Sequence, residues 1–358
     1  MLDILNLNPG SFGLDISDLS LKLVRLKKRR EGFYVSAINQ LRLPAGLLHK
    51  GEVIKTAVLG EYIKKLIDKT EGLGTRQVSV CLPEEKSFLR VIQMPKMSSR
   101  ELKRAVRYEA ENYIPFSLDK VYLDSQVITE KSDDQAHVLV VAIPRKIVDP
   151  YVKAIEIAGL IPLSMEIESQ AAARALTKGK KSDQPVYLID LGATCTGFSV
   201  FYGNYLRFSS FIPVSSENFT LAVAKKLQKN REEAEALKKI HGFQNKGKIG
   251  KAIYKALEPK VKELAEELNK HIDYYENHFT DQNFKKAKGI QRAFFYGGGA
   301  ELAGLPEYLS KKLHIKVEKG NPLINLVPSS KEAFGKSNKK ISAFTVAIGL
   351  ALREFKHD

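Results

Sequence analysis

Two stretches of this chain, 175 residues apart, are built alike. In Phe12–Leu26, FGLDISDLSLKLVRL, a β-prone run carries Asp15 near its end and turns through the small polar residues Ser17–Ser20. It returns with Leu21, Leu23 and Leu26 alternating against Lys22 and Arg25. In Gln184–Val200, QPVYLIDLGATCTGFSV, the apolar run Val186–Ile189 ends at Asp190. Gly192, Ala193, Thr194, Thr196 and Gly197 follow, then the β-prone Phe198–Phe201. Both read as strand, tight turn, strand. Taken singly, each also reads as an ordinary β-hairpin. Taken together they imply an internal duplication of a phosphate-handling hairpin. A turn of small residues exposes backbone N–H groups, which can hold a phosphate, and leaves its aspartate for a hydrated Mg²⁺. Lys22, two residues into the return strand, is placed to reach phosphates at the first turn.

A third feature lies downstream. Arg292–Leu305, RAFFYGGGAELAGL, reads as a strand, three consecutive glycines and a helix start. Such a junction lets another group lie flat against the backbone. Strands are expected at Phe33–Leu43, Gln77–Leu82, Ser87–Gln93, Val121–Thr129, His137–Ile143, Pro162–Ile167 and Leu206–Pro213. Helical spacing covers Glu52–Lys69, Val148–Ala158, Glu168–Leu176, Phe219–Leu227, Arg231–Ile240, Lys251–Phe279, Leu305–Leu313 and Ile341–Phe355. Ser98 and Glu101 stand at capping-box distance ahead of a further helix to about Tyr113. Polar connections are expected at Glu130–Gln135, Thr177–Gln184 and His241–Gly250. In the last helix, Gly349 among Ala347, Leu350 and Ala351 permits close approach of another element.

Composition narrows the class. The chain has 358 residues, 44% of them hydrophobic, enough for a large core. No run approaches the length of a membrane span, and the first residues lack a basic region ahead of an apolar one. Two isolated cysteines, Cys81 and Cys195, fit a reducing compartment, so a cytoplasmic protein is expected. The net charge of +16 comes from lysine clusters such as Lys27–Arg30, Lys246–Lys251 and Lys285–Lys288. A solvated basic surface and an anionic membrane surface both account for it. No aromatic residues interleave with the clusters, and no recognition-helix or zinc-finger pattern is present, so no nucleic-acid partner is expected.

Two Asp-tipped hairpins followed by a glycine-rich junction, in this order, resemble the actin/Hsp70/sugar-kinase ATPases. Ile114–Ile128, Ala158–Leu176, Phe211–Leu227, Gly297–Leu323 and the AFTVAIGLALRE run narrow the resemblance to the type IV pilus assembly PilM family. That likeness extends over nearly the whole chain. It implies an α/β, actin/Hsp70-like (RNase H-like, duplicated) two-lobed ATPase fold with an FtsA-type extra subdomain. The divisions implied are lobe 1 over 1–82, the inserted subdomain over 83–163, and a return and linker over 164–183. Lobe 2 follows over 184–214, a second subdomain over 215–289, lobe 2 again over 290–340, and a helix returning to lobe 1 over 341–358.

The resemblance also implies ATP and Mg²⁺ as cofactors. Main-chain groups at Ser17, Asp18, Leu19, Gly192, Ala193 and Thr194 would hold the phosphates, with Lys22 neutralising their charge. Asp15 and Asp190 would order Mg²⁺ waters, and Asp190 is the best catalytic candidate. Glu235, Lys238, Gly297, Gly298 and Gly299 would take the adenosine. The implied partner is the N-terminal cytoplasmic peptide of a PilN-type protein, linking a PilN–PilO platform to the motor ATPases at the inner membrane. Self-association stays open.

The chain departs from the family pattern in two places. Ser17 and the acidic Asp18 occupy the first turn where a glycine is usual, and Ser215–Ser216 replaces a glycine pair. A carboxylate aimed at a triphosphate repels it unless Mg²⁺ intervenes or the side chain faces away. Nucleotide held as a structural or switching element, with slow or absent hydrolysis, is therefore expected. The alternatives are an FtsA-like filament protein of cell division and a catalytic ATPase or kinase. Against the filament reading, the chain stops at Phe355–Asp358 with no membrane-binding helix; against a kinase, no second substrate site is visible. Glu263, Glu267 and His271 share a helix face that reads as solvated rather than metal-binding. Cys195 reads as a small filler, and INLVP, Ile324–Pro328, as a coincidental likeness to a tail motif.

Overall fold

The computed structural model describes residues 10–128, 135–178, 185–203, 205–278, 289–335 and 338–355. The polar connections expected at Glu130–Gln135 and Thr177–Gln184 lie largely outside these residues, as does the cluster Lys285–Lys288. The chain divides into two compact units. The first comprises Met1–Ala175, Asn325–Ala333 and Val346–Asp358; the second comprises Leu176–Ile324 and Phe334–Thr345.

The first unit is organised on β1 (Phe12–Ser17), β2 (Ser20–Arg29) and β3 (Gly32–Arg42). A two-stranded hairpin follows, β4 (Leu48–His49) and β5 (Glu52–Val53), then α1 (Thr56–Asp68) and β6 (Gln77–Leu82). Next come β7 (Phe88–Pro95), α2 (Ser99–Glu111), β8 (Val121–Ile128), β9 (Gln135–Pro144) and α3 (Arg145–Ile157). β10 (Ile161–Ile167) and α4 (Glu168–Leu176) complete the run. The main sheet has the order β10-β6-β1-β2-β3, with β1 antiparallel to β2 and parallel to β6. β1 is central and buried almost throughout, as expected of a strand covered on both faces. β7, β9 and β8 form a separate antiparallel sheet. Its own small core joins Ile92, Val138 and Val140 to Leu102, Val106 and Ala110 of α2. The expected capping box at Ser98 and Glu101 starts α2.

The second unit repeats the arrangement. β11 (Val186–Leu191), β12 (Thr196–Tyr202) and β13 (Tyr205–Ile212) lead into α5 (Ser216–Leu227), α6 (Arg231–His241) and α7 (Gly247–His278). β14 (Arg292–Tyr296), α8 (Leu305–Leu313) and β15 (Lys316–Lys319) follow. The sheet order is β13-β12-β11-β14-β15. β11 is antiparallel to β12 and parallel to β14, so each pairing in the first sheet has its counterpart in the second. Phe198, Phe219, Phe295, Leu257 and Leu264 are buried where α5 and α7 cover this sheet. Each fully buried side chain of this size contributes about 1.5–3 kcal/mol.

α7 begins at Gly247, four residues before the expected start, so part of the anticipated basic loop is helix. Packing of Ile253, Leu257 and Val261 outweighs the weak helix propensity of its first turn. The last helix, α9 (Thr345–Arg353), is shorter than expected because Asn338–Phe344 winds as a tighter 3₁₀ run. In the first unit Gly349 of α9 meets the backbone of Ala171 in α4, a contact with no room for a Cβ. Arg174 and Arg353 both bind the buried Glu166, and Arg174 also donates to the Gly349 carbonyl at 2.8 Å.

Candidate functional site

Register places the two aspartates equivalently. Asp15 lies near the carboxyl end of central strand β1, across the ladder from Lys22. Asp190 lies near the end of central strand β11, across from Gly197. In open α/β sheets, ligand sites gather outside the carboxyl ends of the parallel strands.

In the first unit, Lys22 Nζ donates to Asp15 Oδ2 at 2.8 Å and to Ser17 Oγ at 3.0 Å. Both charged groups are largely buried, so each satisfies the other where water is scarce. The Cys81 thiol lies 3.6 Å from Asp15 Oδ1. Burial, then the negative charge of Asp15, pushes that thiol well above its usual range, so it stays protonated. The first turn dispenses with glycine because neither Asp18 nor Leu19 has a positive φ. Asp18, grouped by sequence with the phosphate-holding residues, turns its carboxylate away. It accepts from the amides of Lys50 at 3.0 Å and Gly51 at 2.9 Å in the β4–β5 turn. Tyr151 of α3 donates to the Gly51 carbonyl at 2.7 Å, so that turn is held from both sides.

In the second unit, the turn Gly192–Thr194 is fixed by its carbonyls. Ser216 N donates to Gly192 O at 3.0 Å and Glu217 N to Ala193 O at 3.2 Å. The N–H groups of Ala193 and Thr194 have no acceptor among the described residues. Gly297 follows Tyr296, the β14 residue paired with Asp190. Its φ of 88° suits glycine, and a Cβ there would collide with the Asp190 carboxylate. A Cβ at Gly298 would meet nothing within 4 Å, so its outer side is open, whereas Gly299 packs on Leu191.

α6 supplies Glu235 and Lys238. Lys238 Nζ is 2.6 Å from Glu235 Oε2 and donates to Ser216 O, Ser216 Oγ and Thr220 Oγ1 at 2.7–2.9 Å. Burial lowers the Lys238 pKa, and Glu235 opposes that shift. Burial alone would raise Glu235, but Lys238, with hydrogen bonds from Lys239 and Thr220, holds it at about 2. Ser215 caps α5 in a capping box with Asn218, so both serines of the expected glycine pair have structural partners. The loop after α6 is tied toward the glycine-rich segment by Phe243 N donating to Ala303 O at 2.7 Å.

Thus the second unit gathers Asp190, Gly192–Thr194 and Gly297–Gly299 at one sheet end, while Glu235 and Lys238 are bound into the α5–α6 packing. Exposed amides beside a carboxylate can hold an anion with a hydrated cation. Among the described residues no group of three metal-binding side chains occurs, so a cation there would draw on water and ligand oxygens. Glu263 and Glu267 pair with Lys260 and Lys270, while His271 contacts Ser210, so these three do not form one site. Sequence reasoning missed Cys81, Ser216 and Thr220 as partners of the key side chains. It had no signal for them because their contacts come from other strands and helices.

The family model for "Type IV pilus assembly protein PilM" matches residues 13–355. A solved PilM-PilN type IV pilus biogenesis complex has a chain 28% identical to this one, with a TM-score of 0.81. The match covers 97% of this chain and 99% of that one. EutJ of Carboxydothermus hydrogenoformans, 17% identical, has a TM-score of 0.58 over 96% of this chain and 91% of its own. MreB5 of Spiroplasma citri bound to ADP, 13% identical, has a TM-score of 0.50 over 92% and 97%. These last two likenesses speak to fold alone.

Among curated relatives, FtsA of Escherichia coli K12 is 24% identical over 194 residues, 48% of this chain and 46% of FtsA. Type II secretion system protein L of Xanthomonas campestris pv. campestris is 29% identical over 68 residues, 19% of this chain and 18% of that protein. The chain spans less than half the length of these curated relatives. With the duplicated sheet topology, the comparisons establish the actin-like ATPase fold. The chain belongs to the type IV pilus assembly protein PilM family.

Proposed function

We propose that this PilM-type protein binds the N-terminal cytoplasmic peptide of a PilN-type inner-membrane protein and couples a PilN–PilO platform to the pilus motor. The observation carrying the reading is the near full-length likeness to the chain of the PilM-PilN complex. No helix among the described residues is long and apolar enough to cross a membrane. On this reading the protein is cytoplasmic and peripheral to the inner membrane, where its PilN-type partner resides. The test is a calorimetric titration with the cytoplasmic peptide of the PilN-type protein encoded beside it. Saturable binding at one site is expected, and no heat with or without ATP would overturn the proposal.

ATP with Mg²⁺ is the proposed ligand of the actin-like fold. In this reading the N–H groups of Ala193 and Thr194 donate to phosphate oxygens. Lys22, held by Asp15 and Ser17, offers its charge at the first hairpin. Asp190 orders cation-bound water, Asp15 holds the equivalent position in the first unit, and the open side of Gly298 accommodates a flat base. The Glu235–Lys238 pair contributes to the adenosine contact from α6. Because Asp18 is already satisfied by the Lys50 and Gly51 amides, it does not oppose the phosphates. The triphosphate and its cation would supply the charge that orders these loops.

A further inference from the structure

The corner between α6 and α7 combines two features that the proposed nucleotide site leaves unused. The first is exposed aliphatic surface. Ile240, at the end of α6, is 75% exposed, and Ile249, in the first turn of α7, is 54% exposed. They lie at one corner, because a Cβ built at Gly250 would meet Gln244 O at 3.3 Å and His241 Nδ1 at 3.8 Å. The start of α7 therefore rests against the end of α6.

The second feature is charge. From Ala236 to Leu257 the chain has six lysines, His241 and no acidic residue. Lys238 and Lys239 are neutralised by Glu235. Lys246, Lys248, Lys251 and Lys255 have no ion-pair partner among the described residues, and all four are exposed. Lys248, Lys251 and Lys255 are at i, i+3 and i+7, so they line one face of α7. Farther along the same helix the pattern reverses: Lys260, Lys262 and Lys270 each pair with a glutamate. Along α7 the unpaired lysines are thus confined to its first turns, beside the exposed isoleucines.

Aliphatic side chains rimmed by unpaired lysines match the interface of an anionic bilayer. There the isoleucines enter the acyl boundary and the ammonium groups meet lipid phosphates. We infer that the α6–α7 corner is a direct docking site for an anionic lipid surface, independent of any peptide partner. A polyanion without an apolar phase would use the lysines but leave the isoleucines in water.

The test is flotation of the full chain with vesicles of phosphatidylcholine alone and with about one-third phosphatidylglycerol. Binding to the anionic vesicles only is expected. Ile240→Ser with Ile249→Ser should weaken it by about tenfold or more, since both side chains then lose their apolar burial. Lys246→Glu, Lys248→Glu and Lys251→Glu together should abolish it. All five side chains are exposed, so the variants should keep the circular dichroism spectrum and thermal midpoint of the parent. Each single isoleucine variant provides a second readout should a combination misfold. Undiminished vesicle binding by the isoleucine variants would overturn the inference, leaving charge adsorption alone. So would absence of vesicle binding, including the case where the corner drives concentration-dependent self-association.

Discussion

At the residue scale, Glu235 and Lys238 show how far spacing alone reaches. Their i, i+3 placement on one helix face was readable, but the hydroxyls that complete the network, Ser216 and Thr220, come from α5. The folded Glu235 carboxyl sits at about 2, against 4.5 for the free group. A depressed carboxylate stabilises the fold fully above the unfolded value, and the contribution fades as pH falls through the folded one. The sensitive window therefore runs from about pH 4.5 down to about pH 2. Glu235→Gln should lower stability at neutral pH by about 2 kcal/mol, since it leaves the Lys238 ammonium buried without its counter-charge. It should also flatten the acid limb of stability against pH. Urea titrations at several pH values check both, and an unchanged acid limb would contradict the assignment.

At the element scale, the hairpins were legible because strand alternation and turn residues are local. Helix edges were less so. α7 starts early, ahead of the packing of Ile253, Leu257 and Val261, and the end of the chain tightens into 3₁₀ geometry before α9. Neither effect has a local sequence signature. The small residues of α9 did announce a close approach, and Gly349 against Ala171 is that approach. Two opposing effects set the outcome of Gly349→Ala. Helix propensity favours alanine by about 1 kcal/mol. Overpacking against a backbone that cannot rotate aside costs about 1–3 kcal/mol. Because the clash is with main chain, destabilisation should win, and α4 and α9 should exchange amide hydrogens faster. A higher midpoint for the variant would show that the two helices can part without cost.

At the scale of the whole molecule, the duplicated sheet explains why an ordered set of weak motifs carried so much information. Two central strands, each with an aspartate near its end, and a glycine turn after β14 fit one strand order used twice, which is the topology observed. What sequence could not give was the direction of each side chain at the turns. The Asp18 carboxylate, which in the sequence alone stood to oppose a bound phosphate, staples the β4–β5 turn. Removing that conflict strengthens the case for nucleotide binding, and Asp190 is where it is best tested. Ligand at about one hundred times its dissociation constant adds about 2.7 kcal/mol to the folded state. For a chain this size the midpoint should rise by about 3–4 °C when ATP and Mg²⁺ are added together. Asp190→Asn keeps the shape of the side chain and removes the charge that would order cation-bound water. The variant should lose the Mg²⁺-dependent part of the rise while keeping a smaller response to ATP alone, through the Ala193 and Thr194 amides. An equal shift in parent and variant would remove Asp190 from the site, and no shift in the parent would leave this actin-like fold working as a scaffold without nucleotide.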